Sequence, residues 1–398
     1  MERRHFLRFT ALGSSALALG SLGFWRNVYA TPPQPDGPGP YGPLASAPDA
    51  NGLLLPQGFT SRIIAVSRDV VPGTRYAWHM APDGGACFTQ PDGGWVYACN
   101  SETSPDGGVS AVRFGAGGEV TDAYRILSGT NVNCAGGPTP WGTWLSCEEH
   151  PRGHVWECDP SRPSQGVERP ALGTFTHEAV AVDPIGRRLY LTEDTSDGRF
   201  YRFTPTQWPS LDAGTLEAAS VTGDVMKGAK VHWVPVSPEA PASEQPAAGE
   251  TTVFRGGEGC WYDGGVVYFT TKRDNRVWAL TLGNGRLEVL YEAASYPGSP
   301  LMGVDNVTVS RGREVFVCED GDDMQVCLLS SDRKVSPFLQ VVGHSGSEIA
   351  GAAFSPDGRR LYFSSQRGID GRGVTFEVAG AFRTRAPRDP HGALSCEQ

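Results

Sequence analysis

The chain has 398 residues, 51 of them Gly and 31 Pro, and a formal net charge of −10. An acidic balance without basic runs argues against a nucleic-acid surface. Long apolar stretches of helical period are absent, and no internal segment is apolar for the ~20 residues a membrane helix needs, so the processed chain is expected to be soluble.

Taken in order, residues 1–30 come first. They carry Arg3-Arg4-His5-Phe6-Leu7-Arg8, a mild apolar run over residues 11–25, and Val28-Tyr29-Ala30 before a cleavage point. This reads as a twin-arginine export leader, removed from the mature protein. It implies the twin-arginine translocon as a transient partner and a periplasmic or secreted location. Such export carries chains that are already folded, commonly because a cofactor is loaded first. Residues 31–51 form a Pro/Gly-rich linker that includes Pro32-Pro33-Gln34-Pro35 and are expected to be extended and mobile. Residues 52–398 are left for the fold.

A strand is expected over residues 59–66. Then come hairpins whose strands span 83–88 and 95–100, the unit 134–149 with its strand over 143–147, and hairpins spanning 178–183 and 188–194, 258–262 and 266–273, 305–309 and 314–320, and 348–354 and 359–367. Their turns carry Pro91-Asp92-Gly93-Gly94, Asp263-Gly264-Gly265 and Ser355-Pro356-Asp357-Gly358. Most hairpins are followed by one or two further strands. Short repeated strands with almost no helix predict an all-β fold, a six-bladed β-propeller whose last blade residues 59–66 complete.

In a propeller, matching positions of different blades lie on one ring. The strand heads are Asp83, Cys134, Glu178, Glu258, Asp305 and Glu348. The hairpin ends are Glu102, Glu149, Glu193/Asp194, Lys272/Arg273, Glu319/Asp320 and Gln366/Arg367. Both sets converge on one mouth of the central channel. So many carboxylates near an axis would repel and resist ionisation unless cations neutralise them. Oxygen ligands in this number suit Ca²⁺, and a thiolate among them points to a softer metal such as Fe or Zn. Lys272, Arg273 and Arg367 occupy the two hairpin ends without an acid, where a phosphate clamp could sit. His79 and His177 border the same mouth, His177 as an orienting or structural residue.

The stretch Asn133-Cys134-Ala135-Gly136-Gly137-Pro138-Thr139-Pro140-Trp141-Gly142-Thr143-Trp144, ending in Cys147-Glu148-Glu149, resembles the signature of the PhoX family of secreted alkaline phosphatases. Residues 177–194, 258–269, 305–320 and 348–366 follow in that family's order, and the leader matches too. The resemblance implies a six-bladed propeller holding two irons and up to three calciums in its channel. It implies an iron-ligating cysteine at Cys134 and a metal-binding glutamate at Glu149, with Glu178, Glu258, Asp305, Glu319 and Glu348 as further ligands. The activity implied is hydrolysis of small phosphate monoesters, and the chain is expected to act as a monomer. Metals would neutralise charge and supply a nucleophile, so the lack of a Ser/His/Asp motif is no objection. The chain departs from the pattern in two ways. It is short, and Arg255-Gly256-Gly257-Glu258 spaces its arginine differently from the family's arginine just before that acid.

The other readings are a calcium-dependent propeller hydrolase of another ester, such as a lactonase or phosphotriesterase, and a non-catalytic exported propeller stabilised by metal. Of nine cysteines, 87/99, 147/158 and 318/327 are spaced as hairpin neighbours, either bridged or buried as small apolar groups.

Overall fold

Alternating β-branched, aromatic and small residues between Gly- and Pro-bearing turns form strands in every expected hairpin. The computed structural model describes residues 38–384, apart from 165, 297, 299, 322 and 331–333. The leader of residues 1–30 and Cys396 therefore lie outside the described residues. The fold is all-β and propeller-like. Four sheets have four or five strands each, and one has nine.

The first sheet runs from the inner strand Pro82–Thr89 through Trp95–Ser101 and Gly107–Phe114 to Val120–Thr130. The second runs from Asn133–Pro138 through Trp144–Glu148 and Val155–Cys158 to Val167–Glu168. The nine-stranded sheet holds two such meanders, beginning at His177–Asp183 and at Gly257–Asp263. They are joined at their outer edges by Ala229–Val236, which pairs with Arg286–Glu292 only through Ala229 and Lys230. The remaining sheets start at Val304–Val309 and Ile349–Phe354. As expected, Thr60–Val66 pairs with Val374–Ala379 and completes the last sheet. The outer strands Val120–Thr130, Gly214–Thr222, Arg286–Glu292 and Val335–Val341 carry weaker signals in the sequence.

Apolar clusters lie between successive meanders. Ile126 and Val96 meet Trp144, and Leu145 meets Val180 and Tyr201. Tyr190 and Phe200 meet Phe269, Tyr268 meets Val307, Phe316 meets Leu361, and Tyr362 meets Trp95. Phe200 stacks on Phe269 at 4.1 Å, so the two halves of the nine-stranded sheet fold face to face. Each large side chain buried this way contributes roughly 1.5–3 kcal/mol. The innermost strands touch in sequence order and the last touches the first, which closes a ring. Glycine allows that closeness. A Cβ on Gly84 would lie 2.4 Å from Ala135 Cα, and one on Gly259 2.5 Å from Val307 N.

The later part of the linker is packed, contrary to expectation. Tyr41 hydrogen-bonds Glu314 and sets its ring edge-on to Phe59 and Phe338, both at 5.4 Å. Lys334 also donates to the Pro38 carbonyl (3.0 Å) and the Ala45 amide to Leu55 (3.0 Å), so one aromatic side chain and a few backbone hydrogen bonds dock a Pro/Gly segment.

Candidate metal centre

Every inner strand carries a register irregularity at the same place. The breaks fall between Pro82 and Gly85, Asn133 and Gly136, His177 and Val180, Gly257 and Cys260, Val304 and Val307, and Ala350 and Ala353. A bulge re-aims one side chain out of the strand's alternation. The first bulged residues are Asp83, Cys134, Glu178, Glu258, Asp305 and Gly351. The sixth position therefore has no side chain, and Glu348 comes instead from just before its strand, bridged to Asp320.

A second row lies one residue beyond the neighbouring strand. The amides of Glu102, Glu149, Asp194, Lys272, Asp320 and Gln366 donate to the carbonyls of Ala81, Val132, Thr176, Gly256, Gly303 and Glu348. This shared bond puts all six side chains in equivalent positions. Four groups of ligand atoms result: Asp83, Glu102 and Cys134; Cys134, Glu149 and Glu178; Glu178, Glu258 and Asp305; Asp305, Asp320 and Glu348. Within each group the atoms lie within 4.8 Å of one another. Cys134, Glu178 and Asp305 are each shared by two groups, so the four join into one continuous arc around the mouth, an open ring with Asp83 and Glu102 at one end and Asp320 and Glu348 at the other.

Of the expected ligands, Glu319 is not in the ring. Its carboxylate accepts the amides of Met302 (3.1 Å) and Gln325 (3.0 Å), and Asp320 takes the mouth position. Successive strand residues face opposite ways, so a one-residue difference decides which acid faces the channel. Glu193 likewise accepts the Arg199 amide and the Tyr201 hydroxyl. Asp83, Glu102 and Asp320 belong to the ring although the sequence reading did not select them as ligands. The signal for them was the repeat register itself.

Burial and mutual repulsion disfavour ionisation around the ring. Burial, then Glu102 and Asp194, push Glu149 up to about 8. Burial, then Asp305, push Glu348 up to about 8. Asp83, Glu178 and Glu258 are raised well above the carboxylate range by burial and by their acidic neighbours. The Cys134 thiol, 3.2 Å from Glu178 Oε1, is raised by burial and the nearby carboxylates. Glu178 Oε2 is buried with no hydrogen-bond partner. An orphaned carboxylate oxygen beside a thiol, among hard oxygen donors, fits a cation and is poorly explained without one.

The three expected cationic residues are placed differently. Lys272 Nζ lies inside the ring, 3.0 Å from Glu258, 3.2 Å from Asp320 and 3.4 Å from Asp305. Burial opposes its charge, but Asp305, Glu258 and Asp320 outweigh that and hold it above the usual lysine range. Arg367 is half-exposed at the rim, 3.3 Å from Glu348 and 3.7 Å from Glu102. Arg273 is more exposed and only 3.9 Å from Asp194. Gln366 donates to Asp83 and to Glu102.

His177 is fully buried among its own packing partners. Its Nε2 lies 3.0 Å from the Gly173 carbonyl, its ring stacks on Phe175 at 3.6 Å, and burial lowers its pKa to about 3. His79 is packed 4.3 Å from Trp78, with burial holding its pKa well below the ordinary value. Beneath the ring the channel narrows to a cavity of about 30 Å³ walled by Gly85, Gly136, Ala179, Gly259 and Ala352, room for about one water. Among the described residues all eight cysteines are free, so none of the three spacings forms a bridge.

The family model described as alkaline phosphatase PhoX matches residues 97–152 and 149–292. That span includes Glu102, Cys134, Glu149, Glu178 and Glu258. The solved structure of Pseudomonas fluorescens PhoX in complex with vanadate, a transition state analogue, is similar with a TM-score of 0.70 at 16% identity. The match covers 85% of this chain and 98% of that one. A protein of unknown function from Bacteroides thetaiotaomicron is similar with a TM-score of 0.51 at 10% identity, over 81% of this chain and 76% of that one. Both likenesses are of fold. No curated protein matches the chain in sequence. A bulge-borne ring of acids around one thiol, with the family match running through its first half, places the chain in the alkaline phosphatase PhoX family.

Proposed function

We propose that this protein is an exported phosphatase that hydrolyses small phosphate monoesters at the acid ring, on a propeller of six blades that counts the nine-stranded sheet as two. The observation that carries this reading is the ring itself. Eight carboxylates and one thiol converge in four linked groups, in a chain of the PhoX family. The vanadate complex of the Pseudomonas fluorescens relative supports the same chemistry. We infer a mixed iron–calcium cluster, with Cys134 and Glu149 toward iron and Glu178, Glu258, Asp305, Asp320 and Glu348 supplying hard oxygens toward calcium. When bound, such ions supply Lewis acidity and a usable nucleophile near neutral pH.

The chain's own residues do the rest. Arg367, at the rim with its guanidinium half in solvent, is placed to meet a phosphate oxygen, and Arg273 adds weaker attraction from farther out. The narrow channel beneath the ring leaves the acid mouth as the side from which a substrate approaches. We also infer twin-arginine export to the periplasm or beyond, action as a monomer, and no nucleic-acid partner. Among the described residues no helix is long and apolar enough to cross a membrane.

The test is metal analysis of the folded, exported protein with p-nitrophenyl phosphate turnover, repeated on Cys134→Ala and Glu149→Ala. Iron together with calcium, and activity lost in both variants, is the expected result. A fully metal-loaded protein inert toward monoesters and diesters would sink the reading.

A further inference from the structure

Of the six equivalent second-row positions, five carry an acid or an amide and one carries Lys272. Its ammonium is not at the rim but between two ligand groups, Glu178/Glu258/Asp305 and Asp305/Asp320/Glu348. It makes ion-pair contact with Glu258, Asp305 and Asp320 at 3.0, 3.4 and 3.2 Å. An ammonium has three protons and no acceptor, and here three carboxylates surround it at ion-pair distance. No other cationic side chain reaches those three acids among the ion pairs of the described residues. Calcium sits 2.3–2.6 Å from its oxygen ligands. The ammonium therefore stands where a small cation would stand, at a slightly longer radius.

We propose that Lys272 is a tethered cation of the ring, which competes with a metal ion for Glu258, Asp305 and Asp320. The proposal rests on the reading of the ring as a metal centre. With the metal absent, Lys272 holds these acids together at one end of the ring. When a divalent ion enters that end, the ammonium must leave. Its flexible four-carbon stem and its 30% exposed side chain give it a path toward the mouth. Lys272 is then a positioning residue that sets how tightly this end of the ring takes up metal. Gln366 makes the neutral counterpart at the other end, donating to Asp83 and Glu102. An amide there carries no charge to compete with a metal.

The test uses the mature chain stripped of metal by a chelator and titrated with calcium alone by calorimetry. Thermal unfolding is followed in parallel. Lys272→Met removes the charge at nearly constant volume, and Lys272→Arg keeps it. The expected result is calcium binding at least tenfold tighter in Lys272→Met than in the natural chain, with Lys272→Arg close to the natural chain. Metal-free Lys272→Met should also melt at lower temperature and show the larger rise on adding calcium. If Lys272→Met folds only in calcium, Lys272→Gln takes its place in the titration. Equal or weaker calcium binding in the neutral variants overturns this proposal alone. A natural chain that binds neither calcium nor iron overturns both the proposal and the metal reading beneath it.

Discussion

Glu148 and Glu149 are neighbours in sequence, largely buried, and put to opposite uses. Glu148 turns into its own sheet, where its carboxylate accepts the amides of Asn131 (2.9 Å) and His154 (3.2 Å) and the Trp156 indole (3.0 Å). Glu149 turns into the channel, where its surroundings are other acids and a thiol. The same division recurs at Glu319 and Asp320, and in part at Glu193 and Asp194. In each sheet the first acid takes the amide of the residue six positions on. The pair teaches that burial alone does not mark a functional acid. What marks it is which partners the surroundings offer, and the channel offers none that neutralise a carboxylate without a cation.

The largest test of that contrast is functional. Cys134→Ala or Glu149→Gln should lower phosphatase activity and metal content together, with activity down by at least about a hundredfold, beyond the cost typical of a group that merely orients a ligand. Glu148→Gln should keep metal content near normal. A Glu149→Gln chain with full metal and full turnover would break the contrast.

The reverse experiment reads stability. Glu148→Ala strands two amides and an indole, at a cost of about 2 kcal/mol or more, seen as a melting point lower by several degrees. The folded fraction should keep its turnover per bound metal. Glu319→Ala should behave alike and Asp320→Ala should not, because Asp320 has no such amides to strand.

A third test is pH. Glu149 and Glu348 are raised from the ordinary range to about 8 by burial first and by acidic neighbours next. A raised folded-state pKa gives stability that is complete below the unfolded value and lost as pH rises through the folded one. The melting point of the metal-free chain should therefore fall between about pH 5 and pH 9. Saturating calcium should flatten the fall, since the metal holds the carboxylates ionised. Differential scanning calorimetry across that range checks both.

The smallest effects belong to the rim. Arg367→Ala should raise KM for p-nitrophenyl phosphate by about tenfold with metal content unchanged, the loss of one charge-assisted phosphate contact. Arg273→Ala should change it by less than about threefold, since exposed charges at such distances are screened. Steady-state kinetics at two salt concentrations separates them.

The hairpin repeat was legible because strand alternation and Gly/Pro turns leave a local mark. Residues 59–66 as a closing strand followed from the same count. The choice of Glu319 over Asp320 failed because a strand end seen in sequence does not reveal its phase, and the amides of Met302 and Gln325 decide it. Gly351 in the sixth bulge was invisible for a related reason. Bulges are set by inter-strand pairing, so the head of that strand was assigned to Glu348, three residues early. Lys272 was legible as a ring position, but its capture by three acids was not, since that depends on distances between separate sheets. The docking of Tyr41 was hidden by the composition around it.

The pairing of Thr60–Val66 with Val374–Ala379 sets the order in which the molecule can be made. Ring members come from every meander, from Asp83 to Glu348, and the sheet next to Glu348 and Gln366 is completed by a strand synthesised near the start. A chain still emerging from the ribosome cannot complete this last sheet until Val374–Ala379 is free. Thr60–Val66 must wait unpaired, with its partner hundreds of residues away. Completion of the last sheet thus comes at the end of synthesis, and a chain truncated before Val374 leaves Thr60–Val66 without its partner strand.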